Sequence, residues 1–90
     1  STLGLMAMTT GDLILDKLYR DIWQPAVKAC GYSLKRIDRD PAEDYITPLI
    51  EADVRASRFV IVDVTYTNPA IYYAAGFARG LQKPVIYMLN

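Results

Sequence analysis

The sequence predicts a three-layer α/β sandwich built on a four-stranded parallel sheet in the order 2-1-3-4. Four short apolar segments occur along the ninety residues, and stretches with apolar residues at helical spacing separate them. Strands and helices that alternate in this way favour a parallel sheet with right-handed crossovers. With helices on both faces, the order 2-1-3-4 of a flavodoxin-like, Rossmann-like fold is the simplest arrangement.

The four predicted strands span residues 3–8, 32–37, 58–63 and 84–89. The first, third and fourth are almost entirely apolar, as is typical of parallel strands buried on both faces. The second is more polar, which favours a place at the edge of the sheet. The fourth is predicted to form the other edge. An exposed apolar edge predicts either a contact between copies of the chain or continuation into a longer protein.

The first helix is predicted from Asp12 onward, because apolar residues follow the spacing of one helix face through Val27. Pro25 lies inside this pattern, and it is expected to kink or split the helix because it lacks a backbone N–H. Gly31 is expected to end the helix in a left-handed conformation. Cys30 belongs to the same apolar pattern and is expected to be buried.

Two further helices are predicted between the later strands. One covers residues 42–56, with Pro48 as an alternative start. The other begins at Pro69, which is favoured at a first helical position, and ends near Gly80. Gly76 lies inside this last helix at a cost of about 1 kcal/mol relative to alanine, which predicts close packing on the sheet.

The composition limits the classes of function. Ten Lys and Arg residues balance ten Asp and Glu residues, so the chain as a whole does not attract nucleic acid or an anionic membrane. Histidine is absent, which excludes a Ser-His-Asp triad and any His-based metal site. The single cysteine cannot form an internal disulfide, which suits the cytoplasm. We expect one cytoplasmic domain over residues 1–90, with no nucleic-acid or membrane partner and no metal or cofactor.

Ligands of open α/β sheets bind beyond the carboxyl ends of the strands, at the point where the strand order reverses. Here that point lies between the first and third strands, where two polar loops are expected to meet. Their candidate binding residues are Met8, Thr9, Thr10 and Gly11 in one loop, and Thr65, Tyr66 and Asn68 in the other. Both loops lead into helix N-termini, which suit a phosphate. The alternative interpretation is that Thr10 and Asn68 only cap these helices.

Asp63 is the strongest single candidate, because it ends an apolar strand at this point. Its carboxylate could accept hydrogen bonds from sugar hydroxyls, or it could order the loop that follows. Tyr72 and Tyr73 add aromatic faces and hydroxyl groups early in the following helix. Of Tyr66, Tyr72 and Tyr73, at least one is expected to contact a ligand and at least one to lie in the core.

Residues 57–65 and 71–86 resemble the nucleoside 2-deoxyribosyltransferase-like family, which is related to bacterial TIR-like domains. In that family an aspartate and a threonine end a strand, and two aromatic residues, a glutamate, a small residue, glycine, an aromatic residue and alanine follow. This chain has Tyr-Tyr-Ala-Ala-Gly-Phe-Ala at 72–78 and Gly-Leu-Gln-Lys-Pro-Val-Ile at 80–86. The first strand and the Gly11-Asp12 turn also resemble the family.

The resemblance implies cleavage or transfer of the N-glycosidic bond of a nucleoside, a nucleotide or NAD, with a carboxylate close to the anomeric carbon. Alignment of the motif puts the expected glutamate at Ala74, whose methyl group can neither attack a substrate nor move a proton. Thr9-Thr10 also stands where the family often has proline and phenylalanine. Three explanations stay open: an engineered Ala74, a natural binding domain without catalysis, or a catalytic carboxylate supplied by Asp63, Asp12 or Asp38.

We therefore expect a nucleotide- or nucleoside-binding domain that forms a homo-oligomer. Its ligand would be a nucleoside, a nucleotide or an NAD-like small molecule. If the chain acts on such a ligand as an enzyme, Asp63 would orient the ribose, Asn68 and the loop after Met8 would hold sugar or phosphate, and Tyr72 or Tyr73 would pack on the base. The alternatives are an active N-glycosidase or transferase acting on NAD or deoxynucleosides, and a self-associating scaffold domain.

Overall fold

The computed structural model describes residues 2–9, 11–37, 46–65 and 69–89. Its elements in chain order are β1 (Leu3–Ala7), α1 (Leu13–Leu18), a π-helical turn (Tyr19–Trp23), α2 (Gln24–Ala29), β2 (Ser33–Arg36), α3 (Ile46–Ala56), β3 (Phe59–Asp63), α4 (Pro69–Gly80) and β4 (Val85–Met88). All strand pairs are parallel, and the sheet order is β2-β1-β3-β4. The predicted α/β class and the predicted strand order are both confirmed.

Apolar side chains cover both faces of the sheet and form two clusters. On one face, Leu5 and Ala7 of β1 pack with residues of β3, α3 and α4. On the other face, Met6 and Met8 pack against side chains of α1, the π-helical turn and α2. Successive residues of a strand point to opposite faces, so an uninterrupted apolar strand fills both clusters at once.

Pro25 splits the first helix, as predicted. The N–H of Gln24 donates to the carbonyl of Tyr19, five residues back, which gives a wider turn just before the proline. Pro25 itself lies in the first turn of α2, where the missing N–H is tolerated. The wider turn lies between α1 and α2, and Ile22, an apolar residue within the predicted helix pattern, is more than half exposed.

A glycine ends α2, as predicted. Gly31 has a φ of +87°, and its N–H donates to the carbonyl of Lys28 at 3.0 Å. The N–H of Tyr32 donates to the carbonyl of Val27 at 3.2 Å, which completes a Schellman motif. The prediction of a buried Cys30 is wrong, because Cys30 is the C-cap residue and its side chain is exposed.

The inner face of α4 consists mainly of small residues. Its buried side chains are Ile71, Ala74, Ala75 and Ala78. The prediction that Gly76 packs closely on the sheet is wrong, because this residue is exposed and a Cβ there would have no atom within 4 Å. The alanines on the opposite side of α4 make the close approach instead.

The close glycine contact of the fold lies in β1. Gly4 is opposite Phe59 of β3, and a Cβ on Gly4 would lie 2.3 Å from Cζ of the Phe59 ring. That ring covers the glycine and packs edge-on against Tyr32, with ring centroids 5.3 Å apart.

Of the helices that the structure describes, none combines the length and the apolar character that a bilayer span requires.

We expect substitution by alanine to have opposite effects on the free energy of unfolding at Gly4 and at Gly76. Gly4→Ala is expected to lower the free energy of unfolding by about 1–3 kcal/mol, because the Phe59 ring has to move. Gly76→Ala is expected to raise it by up to about 1 kcal/mol, because the new methyl group meets no atom and alanine favours helix. Urea denaturation of both variants measures the two changes. Changes of the same sign would contradict the packing described here.

Candidate functional site

The two predicted loops leave the sheet side by side. Ala7 of β1 is opposite Val62 of β3, so the residues after both strands emerge at one carboxyl edge. The structure places Met8, Thr9 and Gly11 on the β1 side, and Asp63 and Thr65 on the β3 side. The candidates that lie outside the described residues are Thr10, Asp38, Tyr66 and Asn68.

Asp63 is almost completely buried, with 2% of its surface exposed. Its Oδ1 atom accepts a hydrogen bond from the N–H of Thr65 at 2.8 Å and another from the hydroxyl of the same residue. Buried polar atoms need such partners, and these two bonds hold the start of the β3–α4 loop against the strand end. Asp63 therefore has the loop-ordering role, which was one of its two expected roles.

The β1–α1 loop turns sharply into its helix. Gly11 has a φ of +83°, in the left-handed region that favours glycine. Oδ1 of Asp12 accepts hydrogen bonds from the N–H groups of Ile14 at 3.0 Å and Leu15 at 3.1 Å. The N-cap of α1 is therefore Asp12. The alternative interpretation of the sequence had assigned this cap to Thr10. The side chain of Met8 is buried in the core, so only its backbone can face a ligand.

Arg36 fixes this loop from the end of the neighbouring strand β2. Its Nη2 atom donates to the carbonyl oxygen of Thr9 at 2.8 Å and to the carboxylate of Asp16. The guanidinium carbon lies 5.3 Å from the centre of the Tyr19 ring, and only 14% of the side chain is exposed. Sequence patterns do not single out Arg36, because these two partners lie 27 and 20 residues away.

The Tyr19 side chain completes this cluster. Its hydroxyl donates to the carbonyl of Leu34 in β2 at 3.1 Å. Burial raises the pKa of the Tyr19 hydroxyl, although the nearby Arg36 charge acts in the opposite direction. The phenol therefore stays a hydrogen-bond donor at neutral pH and ties α1 to β2.

The residues of the α4 motif do not all face the two loops. Ala74 has 0% exposure and belongs to the cluster between α4 and the sheet. The hydroxyl of Tyr73 donates to Glu51 of α3, which raises the pKa of Tyr73, and its ring stacks on Phe77 with centroids 6.3 Å apart. The described contacts of Tyr73 therefore go to α3 and α4. Tyr72 is about half exposed.

Acidic groups dominate the carboxyl edge. Among the described residues whose contacts lie at this edge, Asp12, Asp16 and Asp63 are acidic and Arg36 is basic. In the part of the chain that the structure describes, no group of three His, Cys, Asp or Glu side chains is arranged to hold a metal ion.

Comparison of the chain with protein-family models, with curated proteins and with solved structures finds no significant match.

We expect alanine substitution of Arg36 and of its neighbour Lys35 to lower the free energy of unfolding by different amounts. Arg36→Ala is expected to lower the free energy of unfolding by about 1.5–3 kcal/mol, because hydrogen bonds of a charged, largely buried group are lost. Lys35 pairs with Asp53 at 2.8 Å, but about half of the lysine side chain is exposed. Lys35→Ala is therefore expected to cost less than about 1 kcal/mol. Denaturant titration of both variants measures the difference, and equal losses would show that Arg36 does not fix the loop.

Proposed function

We propose that this chain is a nucleoside- or nucleotide-binding domain of the nucleoside 2-deoxyribosyltransferase-like type, without a catalytic group at position 74. The observation that carries the proposal is the buried carboxylate of Asp63 at the carboxyl end of β3. It lies beside β1, at the point where the strand order reverses, which is the usual ligand position in open α/β sheets.

The kinds of hydrogen-bonding group at this edge favour a sugar. Carboxylates and backbone carbonyls accept hydrogen bonds, and they match the hydroxyl groups of ribose or deoxyribose. Asp63 holds Thr65 in place at the same time, which fixes the residue that follows the strand end before a ligand arrives. Such preorganisation reduces the entropy lost on binding.

The charge of the edge favours a nucleoside over a nucleotide. A phosphate group carries only acceptor oxygens and negative charge, and the carboxylate of Asp12 already occupies the first amides of α1. The guanidinium of Arg36 is paired with Asp16 and turned toward Thr9. The N-terminus of α1 and the guanidinium of Arg36 are therefore not available to an anion. We expect a nucleotide to bind more weakly than the nucleoside that lacks its phosphate group.

Ala74, Asp63 and Asp12 are the described positions that bear on catalysis, and none of them offers a free reactive group. A buried methyl group at position 74 supplies no nucleophile and no proton. Asp63 and Asp12 accept hydrogen bonds from the N–H groups of their own loops, which gives each of them a structural role. We therefore expect binding of a nucleoside without release of its base.

Thermal and denaturant unfolding with added ligand test this proposal. A deoxynucleoside at one hundred times its dissociation constant is expected to stabilise the fold by about 2.7 kcal/mol. The matching 5′-monophosphate is expected to stabilise it less, because of the acidic edge. Chromatography of the same mixtures is expected to show no free base.

Two aspartate variants give the control for this experiment. Asp63→Ala is expected to abolish the ligand-induced stabilisation, whereas Asp53→Ala, which removes an aspartate on α3 that pairs with Lys35, is expected to retain it. If no nucleoside, nucleotide or NAD stabilises the chain, the proposal is wrong. Release of base would favour the N-glycosidase or transferase alternative instead.

A further inference from the structure

Arg36 belongs to a strand that does not border the crevice between β1 and β3. In the register of the sheet Arg36 is opposite Met6 of β1, and Met6 is opposite Ile61 of β3. Two strand spacings, or about 10 Å, therefore separate the backbone of Arg36 from that of β3. The side chain nevertheless reaches the loop that follows β1, because its Nη2 atom donates to the carbonyl oxygen of Thr9 at 2.8 Å.

The guanidinium of Arg36 includes a donor that is poorly satisfied. Its Nε atom is buried and has no hydrogen-bond partner among the residues that the structure describes. A buried donor without a partner is unfavourable, and such a group in a folded protein calls for an explanation. An apolar side chain packed on the Tyr19 ring would avoid this cost. The contacts offer one explanation, because only a donor can hold the Thr9 carbonyl.

The two loops of the crevice are held in different ways. At the end of β3, Asp63 and Thr65 bond to each other within one loop. At the end of β1, Thr9 is held from another strand, through Arg36. A change at position 36 therefore acts on one wall of the site and leaves the other wall intact. Arg36 can in this way alter binding without contact with the ligand.

Asp16 sets the charge of this arrangement. The Nη2 atom that holds Thr9 also donates to the carboxylate of Asp16. Only 14% of the Arg36 side chain and 32% of the Asp16 side chain are exposed, so water and salt screen the pair less than a surface pair. Without Asp16, the charge of Arg36 would act over roughly 10 Å, which includes the crevice beside β1. With Asp16 present the pair is neutral, and a phosphate group gains nothing from Arg36.

We propose that the Arg36–Asp16 pair determines the affinity and the selectivity of the nucleoside site, an inference that rests on the proposed function. Arg36 is a positioning residue, because it holds the β1–α1 loop through Thr9 and does not contact the ligand. Asp16 is the specificity-determining residue, because it cancels the charge of Arg36. The site therefore binds a neutral nucleoside in preference to its 5′-monophosphate.

Calorimetric titration at low salt tests the role of Asp16. The probes are the deoxynucleosides of adenine, guanine, cytosine and thymine and their 5′-monophosphates. Asp16→Asn keeps an oxygen that accepts from Arg36 and removes the negative charge. It is expected to lower the ratio of nucleotide Kd to nucleoside Kd by about threefold, and this change is expected to disappear in about 1 M salt. Asp21→Asn is the matched control, because it removes the same charge from an exposed pair with Arg20, further from the loop.

The same titration tests the role of Arg36. Arg36→Met keeps a long side chain against Tyr19 and removes the donors, and it is expected to raise the nucleoside Kd about tenfold, because the loop then has to be ordered on binding. Arg36→Lys retains a donor and is expected to recover part of the affinity. Tyr19→Phe is the control for a purely structural loss, because it removes the bond to Leu34 and leaves the Thr9 contact, and its Kd is expected to stay unchanged.

The unmodified chain separates failure of this inference from failure of the proposed function. If it binds a deoxynucleoside, but Asp16→Asn leaves the Kd ratio unchanged or Arg36→Met leaves the nucleoside Kd unchanged, the inference is overturned and the proposed function stands. A ratio that Asp21→Asn lowers as much as Asp16→Asn overturns it equally, because the effect is then one of net charge. If none of the probes binds the unmodified chain, the proposed function is wrong, and this inference with it.

Discussion

The parallel pairing of β1 with β3 is the constraint on which the rest of the structure depends. More than fifty residues separate the two strands, and the chain forms β2 on one side of β1 before it returns to the other side. This return reverses the strand order and creates the edge at which both polar loops emerge. The Phe59 ring over Gly4 fits the observed register, and a shift by one residue would exchange the side chains of the two core clusters.

The same arrangement explains how a chain with no net charge has an acidic edge. Asp12 caps α1, Asp16 pairs with Arg36, and Asp63 holds Thr65, so each carboxylate has a local structural reason to be there. All three belong to elements that meet at the carboxyl ends of the strands. The total charge of a sequence therefore says little about the charge that a ligand meets, because the fold sorts the charged residues in space.

The order of the elements could be predicted from the sequence because it depends on local patterns. Apolar runs, Pro25 and Gly31 act on the backbone within a few residues, and the structure confirms their effects. Other features depend on packing between distant elements or on the phase of a helix. The exposure of Gly76 and the contact of Arg36 with Thr9 could not be predicted for this reason. At the candidate site, the position of Asp63 was predictable, whereas its bonds to Thr65 required the structure.

The central claim is that a nucleoside binds at the carboxyl edge of the sheet. Backbone amide chemical shifts of the ¹⁵N-labelled chain, recorded by NMR during titration with a deoxynucleoside, test this claim most directly. The account predicts that the largest saturable changes occur at Thr9, Gly11, Val64 and Thr65. Changes centred on the amino edge, at Arg58 and Lys83, or no saturable change at all, would contradict it.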